Sequence, residues 1–71
     1  MPRKRSIIPA APMAEIMKQA GAERVSEAAS KELAEVLMEI AMDISKDAVK
    51  FANHAGRKTV KKDDIILAKK R

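Results

Sequence analysis

The sequence predicts an all-α chain, a short helix, a long central helix and a second short helix, that completes its core only against another copy of itself. Three observations predict it. From Glu27 to His54 the chain runs 28 residues without glycine or proline. Apolar residues recur along that run every three or four positions, the period of a helix face rather than of a strand. The 71 residues hold no cysteine and one histidine, so neither a disulfide nor a zinc-type site can supplement the ~3–5 kcal/mol that a single core of this size supplies.

Residues 1–6 form a basic arm with no apolar pattern, and residues 7–71 form one domain. Ile7-Ile8-Pro9-Ala10-Ala11-Pro12 leads into the first helix, because proline is tolerated in or before a first turn. Met13, Ile16, Met17 and Ala20 then share one face, and Gly21 is placed to end the helix in a left-handed cap. Ala22-Glu23-Arg24-Val25 reads as a short extended link. Ser26 followed by Glu27 is an N-cap with an acid in the first turn, which starts the long helix.

At ~100° per residue, Leu33, Val36, Leu37, Ile40, Ile44 and Phe51 fall near one line of the long helix. Ala34, Ala41, Ala48, Ala52 and Ala55 lie beside it, while Met38, Met42 and Val49 widen the apolar zone to roughly two-thirds of the circumference. Glu32, Glu35, Glu39, Asp43, Lys46, Lys50 and Asn53 take the remaining strip. Two flanking helices of about ten residues cannot cover a zone that long and wide. A second copy of the long helix can, with the alanine column permitting close approach where the two cross and the methionines filling gaps.

Gly56 ends the long helix, and Arg57-Lys58-Thr59-Val60-Lys61-Lys62 forms a second, strand-like link that mirrors the first. Asp63 and Asp64 open the last helix, which carries Ile65, Ile66, Leu67 and Ala68 and closes on Lys69-Lys70-Arg71. Anions at its start and cations at its end both suit the helix dipole.

The net charge is +5, unevenly spread: residues 1–5 carry +3, residues 6–56 carry −3 and residues 57–71 carry +5. Cations gathered at a helix-to-helix loop point to a polyanion. Phe51 is the sole aromatic residue, which disfavours single-strand recognition by base stacking. There is no glycine-rich phosphate loop or nucleophile-and-base constellation, so no enzyme, cofactor, metal or small-molecule substrate is expected. No apolar run approaches the ~20 residues of a membrane span, and a cytoplasmic protein is expected.

With Ala20-Gly21-Ala22-Glu23-Arg24-Val25-Ser26 at one junction and His54-Ala55-Gly56-Arg57-Lys58-Thr59 at the other, the sequence closely resembles archaeal histones from about Pro9 to Arg71. The resemblance implies the histone fold, a handshake homodimer and sequence-tolerant packaging of double-stranded DNA, with the protein chromosome-associated. It also implies that dimers can stack into tetramers or longer arrays, and that mixed dimers with paralogues can form. By the same resemblance, Arg24 of one subunit enters a minor groove beside Thr59 of its mate, Lys58 and Lys61 contact phosphates, and Lys62 and Lys18 add to them. Arg57 and Asp64 match a family pair in which the arginine of the loop is clamped to the acid of the last helix.

His54 has two readings. An isolated histidine near a helix end can cap carbonyls; the resemblance instead places it at a dimer-to-dimer contact with Phe51, Asp64 and Leu67. Three positions depart from close relatives: Glu15 stands where a base is common, and Met42 and Asn53 replace cations. A histone-fold subunit of a larger protein assembly is the alternative to a packaging homodimer.

Overall fold

The structure, a computed structural model, describes residues 6–69. Met1–Arg5 of the expected arm, and Lys70 and Arg71, lie outside the described residues. Three helices follow in order: α1 (Ala11–Gln19), α2 (Glu27–His54) and α3 (Lys62–Lys69). The chain divides into two compact units, residues 1–39 with α1 and the first part of α2, and residues 40–71 with the rest of α2 and α3.

Each junction begins with the same device. After α1 the Gly21 amide donates to the Lys18 carbonyl and the Ala22 amide to the Met17 carbonyl, both at 3.0 Å. After α2 the Gly56 amide donates to Asn53 and the Arg57 amide to Ala52, both at 2.9 Å. These are Schellman caps, whose paired bonds satisfy the last helical carbonyls and require a left-handed residue between them. Gly21 (φ 120°) and Gly56 (φ 72°) supply it. At the start of α2 the Ser26 hydroxyl accepts the Ala29 amide at 3.0 Å, the side-chain cap that its position before Glu27 predicts. The start of α1 has no such cap; Pro12 in its first turn has no amide proton to satisfy.

Neither junction forms a strand among the described residues, contrary to the strand-like links expected from Ala22–Val25 and from the basic segment after Gly56. A β-ladder needs a second extended backbone alongside, and each unit contains only one such link.

Ala41 and Ala55 of the alanine column are exposed. Ala34, Ala48 and Ala52 are buried within the chain itself. In the first unit Ala34 and Ser30 are buried along with Met13 of α1; in the second, Ala48 and Ala52 are buried along with Asp64 and Ala68 of α3. The large residues are left over: Leu33, Val36, Leu37, Ile44 and Phe51 are half-buried, and Ile40 is 50% exposed.

The buried apolar residues of the described chain are thus one methionine and four alanines. Ordering a backbone costs about 1–2 kcal/mol per residue, and full burial of a large aliphatic side chain returns about 1.5–3 kcal/mol. Such a core cannot offset that cost, and the uncovered apolar surface of α2 is where further burial is available.

Candidate nucleic-acid interface

The second junction is closed by side chains rather than by a backbone ladder. The Arg57 guanidinium donates from Nη1 to Asp64 Oδ2 and from Nη2 to Asp64 Oδ1, each at 2.9 Å. Nη1 also donates to the Thr59 carbonyl at 3.0 Å. Asp64 Oδ2 accepts the Lys61 amide as well, at 2.8 Å. Lys61 is the N-cap of α3 and Asp64 its third residue, so this last bond is the acid half of a capping box. One carboxylate thereby ties together the end of α2, the loop and the start of α3.

Asp64 is the largest fully buried side chain among the described residues, at 2% exposure. A buried carboxylate is costly unless paired and hydrogen-bonded, and here it is both. The Arg57 hydrogen bonds, then the Lys61 amide, hold its carboxyl at about 2, below the ordinary 3.8. Asp64 in turn pushes the Arg57 guanidinium upward. Three of roughly four lone-pair positions on the carboxylate are occupied.

The loop consequently has two kinds of cation. Arg57 is neutralised within the fold. Lys58, Lys61 and Lys62 are exposed and form no ion pair among the described residues, and Thr59 is exposed between them with its carbonyl pinned by Arg57. Pinning a loop's backbone leaves little conformational entropy to lose when its side chains meet a ligand.

The structure places Lys18 in the last turn of α1 and Arg24 in the first junction, both exposed. They belong to the first unit, whereas Lys58, Thr59, Lys61 and Lys62 belong to the second. Val60 and Ile65, flanking Lys61 and Lys62, are each 39% exposed.

Farther along the second unit, His54 is exposed, Phe51 half-buried and Leu67 51% exposed. His54 and Phe51 line a shallow hollow with Asp47 and Lys50; Asp64 and Leu67 do not line it. Sequence pattern alone leaves Lys50 on the polar strip and does not single out Asp47. The signal is nonetheless present in their spacing, since positions 47, 50, 51 and 54 share a helix face. Ser6 carries no such signal: its hydroxyl bonds to α2, and no local pattern announces a contact 28 residues away.

No three metal-ligating side chains come together among the described residues. None of the described helices is long and apolar enough to cross a membrane.

A model of the family of histone-like transcription factors (CBF/NF-Y) and archaeal histones matches residues 7–68. The chain is similar to the A subunit of archaeal histone HAN1 from Thermococcus zilligii, with 56% identity over 63 residues that cover 89% of this chain and 94% of the relative. It is also similar to probable archaeal histone 3 of Methanocaldococcus jannaschii, with 55% identity over 58 residues, 82% of this chain and 87% of that one.

Proposed function

Because the chain belongs to the family of histone-like transcription factors (CBF/NF-Y) and archaeal histones, we propose that it is a chromatin protein whose homodimers bend and wrap duplex DNA with little regard to sequence. The observation that carries this reading is the braced loop after α2. Its three exposed lysines stand on a backbone held by Arg57 and Asp64, an arrangement suited to the phosphate backbone, which positions a protein without reading bases.

The dimer supplies what a single chain lacks. Covering the half-exposed residues of α2 with the α2 of a second copy contributes about 1 kcal/mol or more per large side chain. In the handshake arrangement the first junction of one subunit lies beside the second junction of its mate. Arg24 then enters a minor groove next to the partner subunit's Thr59; a planar guanidinium suits that narrow, electronegative slot. Lys58 and Lys61 contact phosphates there, with Lys62 and Lys18 adding to them. A third contact lies where the two copies of α1 meet, weakened by Glu15. Dimers stack through His54, Phe51, Leu67 and Asp64, and the protein is chromosome-associated in the cytoplasm.

Titration of random-sequence duplex DNA at several salt concentrations tests this. Log affinity falls linearly with log salt, and each lysine-to-glutamine change at Lys58 or Lys61 lowers the slope by about 0.9 for each phosphate that is no longer neutralised. A slope of zero would remove the wrapping model.

A second reading is favoured by one observation: a relative at 56% identity is named as one subunit of a histone. In that reading the chain pairs with a different histone-fold chain. Size-exclusion chromatography of the purified chain separates the two, since a homodimer elutes as a discrete species and an obligate heterodimer component aggregates when alone.

A further inference from the structure

A second apolar surface on α2 stands apart from the face that pairing uses. Met42, Ser45, Lys46, Val49 and Lys50 line an open hollow within the second unit. All five belong to α2 and fall at positions i, i+3, i+4, i+7 and i+8, so they form one stripe along the helix. From Met42 to Val49 it runs two turns, about 11 Å at 1.5 Å per residue. Its floor is apolar: Val49 is 45% exposed and Met42 half-buried. Lys46 and Lys50 stand along one edge, exposed and in no ion pair among the described residues.

A second α2 does not cover this stripe. At ~100° per residue, Met42 and Val49 lie about 170° around the helix from the mean direction of Ile40, Ile44 and Phe51. The buried Ala48 and Ala52 fall between the two directions. A partner helix packed along the Ile40, Ile44 and Phe51 line is therefore on the far side of a cylinder ~10–12 Å across. That holds whether the chain pairs with itself or with a different histone-fold chain, and it does not depend on DNA binding.

Exposed lysines suit either a nucleic acid or an acidic protein, and the surroundings separate the two. Residues 40–56 carry two acids and two lysines, net zero with histidine neutral, against +5 for residues 57–71. A stretch with no excess of positive charge has little pull on a polyphosphate backbone, and phosphates return nothing for covering Met42 and Val49. A protein helix uses both features: apolar side chains cover the floor, and acids on its flank pair with the lysines. Methionine, unbranched and polarisable, adapts to what packs on it.

We propose that the stripe from Met42 to Val49 is a docking site for an amphipathic helix of another protein, with an apolar face two turns long and two acids four residues apart on its flank. Met42 and Val49 receive the apolar anchors. Lys46 and Lys50, about 6 Å apart along α2, match the spacing of the acids. The site attaches a second protein to the dimer without competing with its pairing.

The test uses the full-length chain in its dimer with isotope-labelled methionine methyl groups, the Met42 resonance being assigned with Met42→Leu. Two helical peptides share one apolar face; one carries glutamates at the flanking positions and the other lysines. The glutamate peptide is expected to shift the Met42 resonance saturably, and the lysine peptide to bind about tenfold more weakly, as two rim ion pairs turn repulsive. In Lys46→Glu/Lys50→Glu the preference is expected to reverse, which a loss of folding would not produce. Val49→Gln is expected to weaken the glutamate peptide several-fold while sedimentation still reads a dimer, where Ile40→Glu leaves none. The inference is overturned if the glutamate peptide leaves the Met42 resonance unmoved, if both peptides bind alike, or if charge reversal leaves the preference as it was. A Met42 shift on concentrating the dimer alone assigns the face to a further copy of this chain, and one on adding random-sequence duplex DNA alone assigns it to nucleic acid; either result also overturns it.

Discussion

Asp64 concentrates more structural duty than any other side chain in the second unit, and its titration gives a pH signature. Its carboxyl is held at about 2 in the fold against an ordinary 3.8, so the folded state binds fewer protons than the unfolded state between those values. A depressed carboxylate contributes stability above the unfolded value and loses it as pH falls through the folded one. Wild type should hold this contribution above about pH 4 and lose it progressively toward pH 2. Asp64→Asn should lower the thermal midpoint by several degrees at neutral pH and by much less near pH 2, followed by circular dichroism. In a double-mutant cycle, Arg57→Ala and Asp64→Ala should be strongly non-additive, since either change removes the same two hydrogen bonds. Additive losses would show that the pair does not act as a clamp.

Both helix ends facing the junctions depend on glycine, for a reason that space does not explain. A Cβ at Gly56 would meet nothing within 4 Å, yet φ there is +72°. The cost of Gly56→Ala is then backbone strain alone, about 1–2 kcal/mol per subunit. Gly56→Asn should cost less, because asparagine tolerates the left-handed region. At the other end of α2, Ser26→Ala removes the acceptor for the Ala29 amide and should cost about 1 kcal/mol. Urea unfolding at fixed protein concentration reads all three. The same caps were legible in the sequence because a glycine after a periodic run and a serine before one are local signals. The Arg57-to-Asp64 bonds span seven residues and a change of direction; the residues alone allowed such a pair, while only the folded loop supplies its bidentate geometry.

For the molecule as a whole, burial decides what the chain can be. A core of one methionine and four alanines implies that folding is linked to association. The thermal midpoint should rise with protein concentration, as mass action requires when folded chains associate and unfolded ones do not. Ile40→Glu gives a sharper check. At a solvated position on a monomer this change would shift stability by no more than ~0.5 kcal/mol; on the uncovered face of α2 it places a charge in the interface and should abolish the dimer, as read by sedimentation equilibrium.

The order, type and approximate limits of the three helices, their caps and the clustering of charge were all determined by the sequence, because period, glycine placement and local charge act over a few residues. Tertiary packing decided three other matters. It buried Ala34, Ala48 and Ala52 of α2 and left the large apolar residues of that helix half-buried or exposed. It sorted the loop cations into one consumed by Asp64 and three left exposed. And it joined Ser6 to Ala34, a bond between residues 28 apart that depends on where the chain returns in space and that no periodicity encodes.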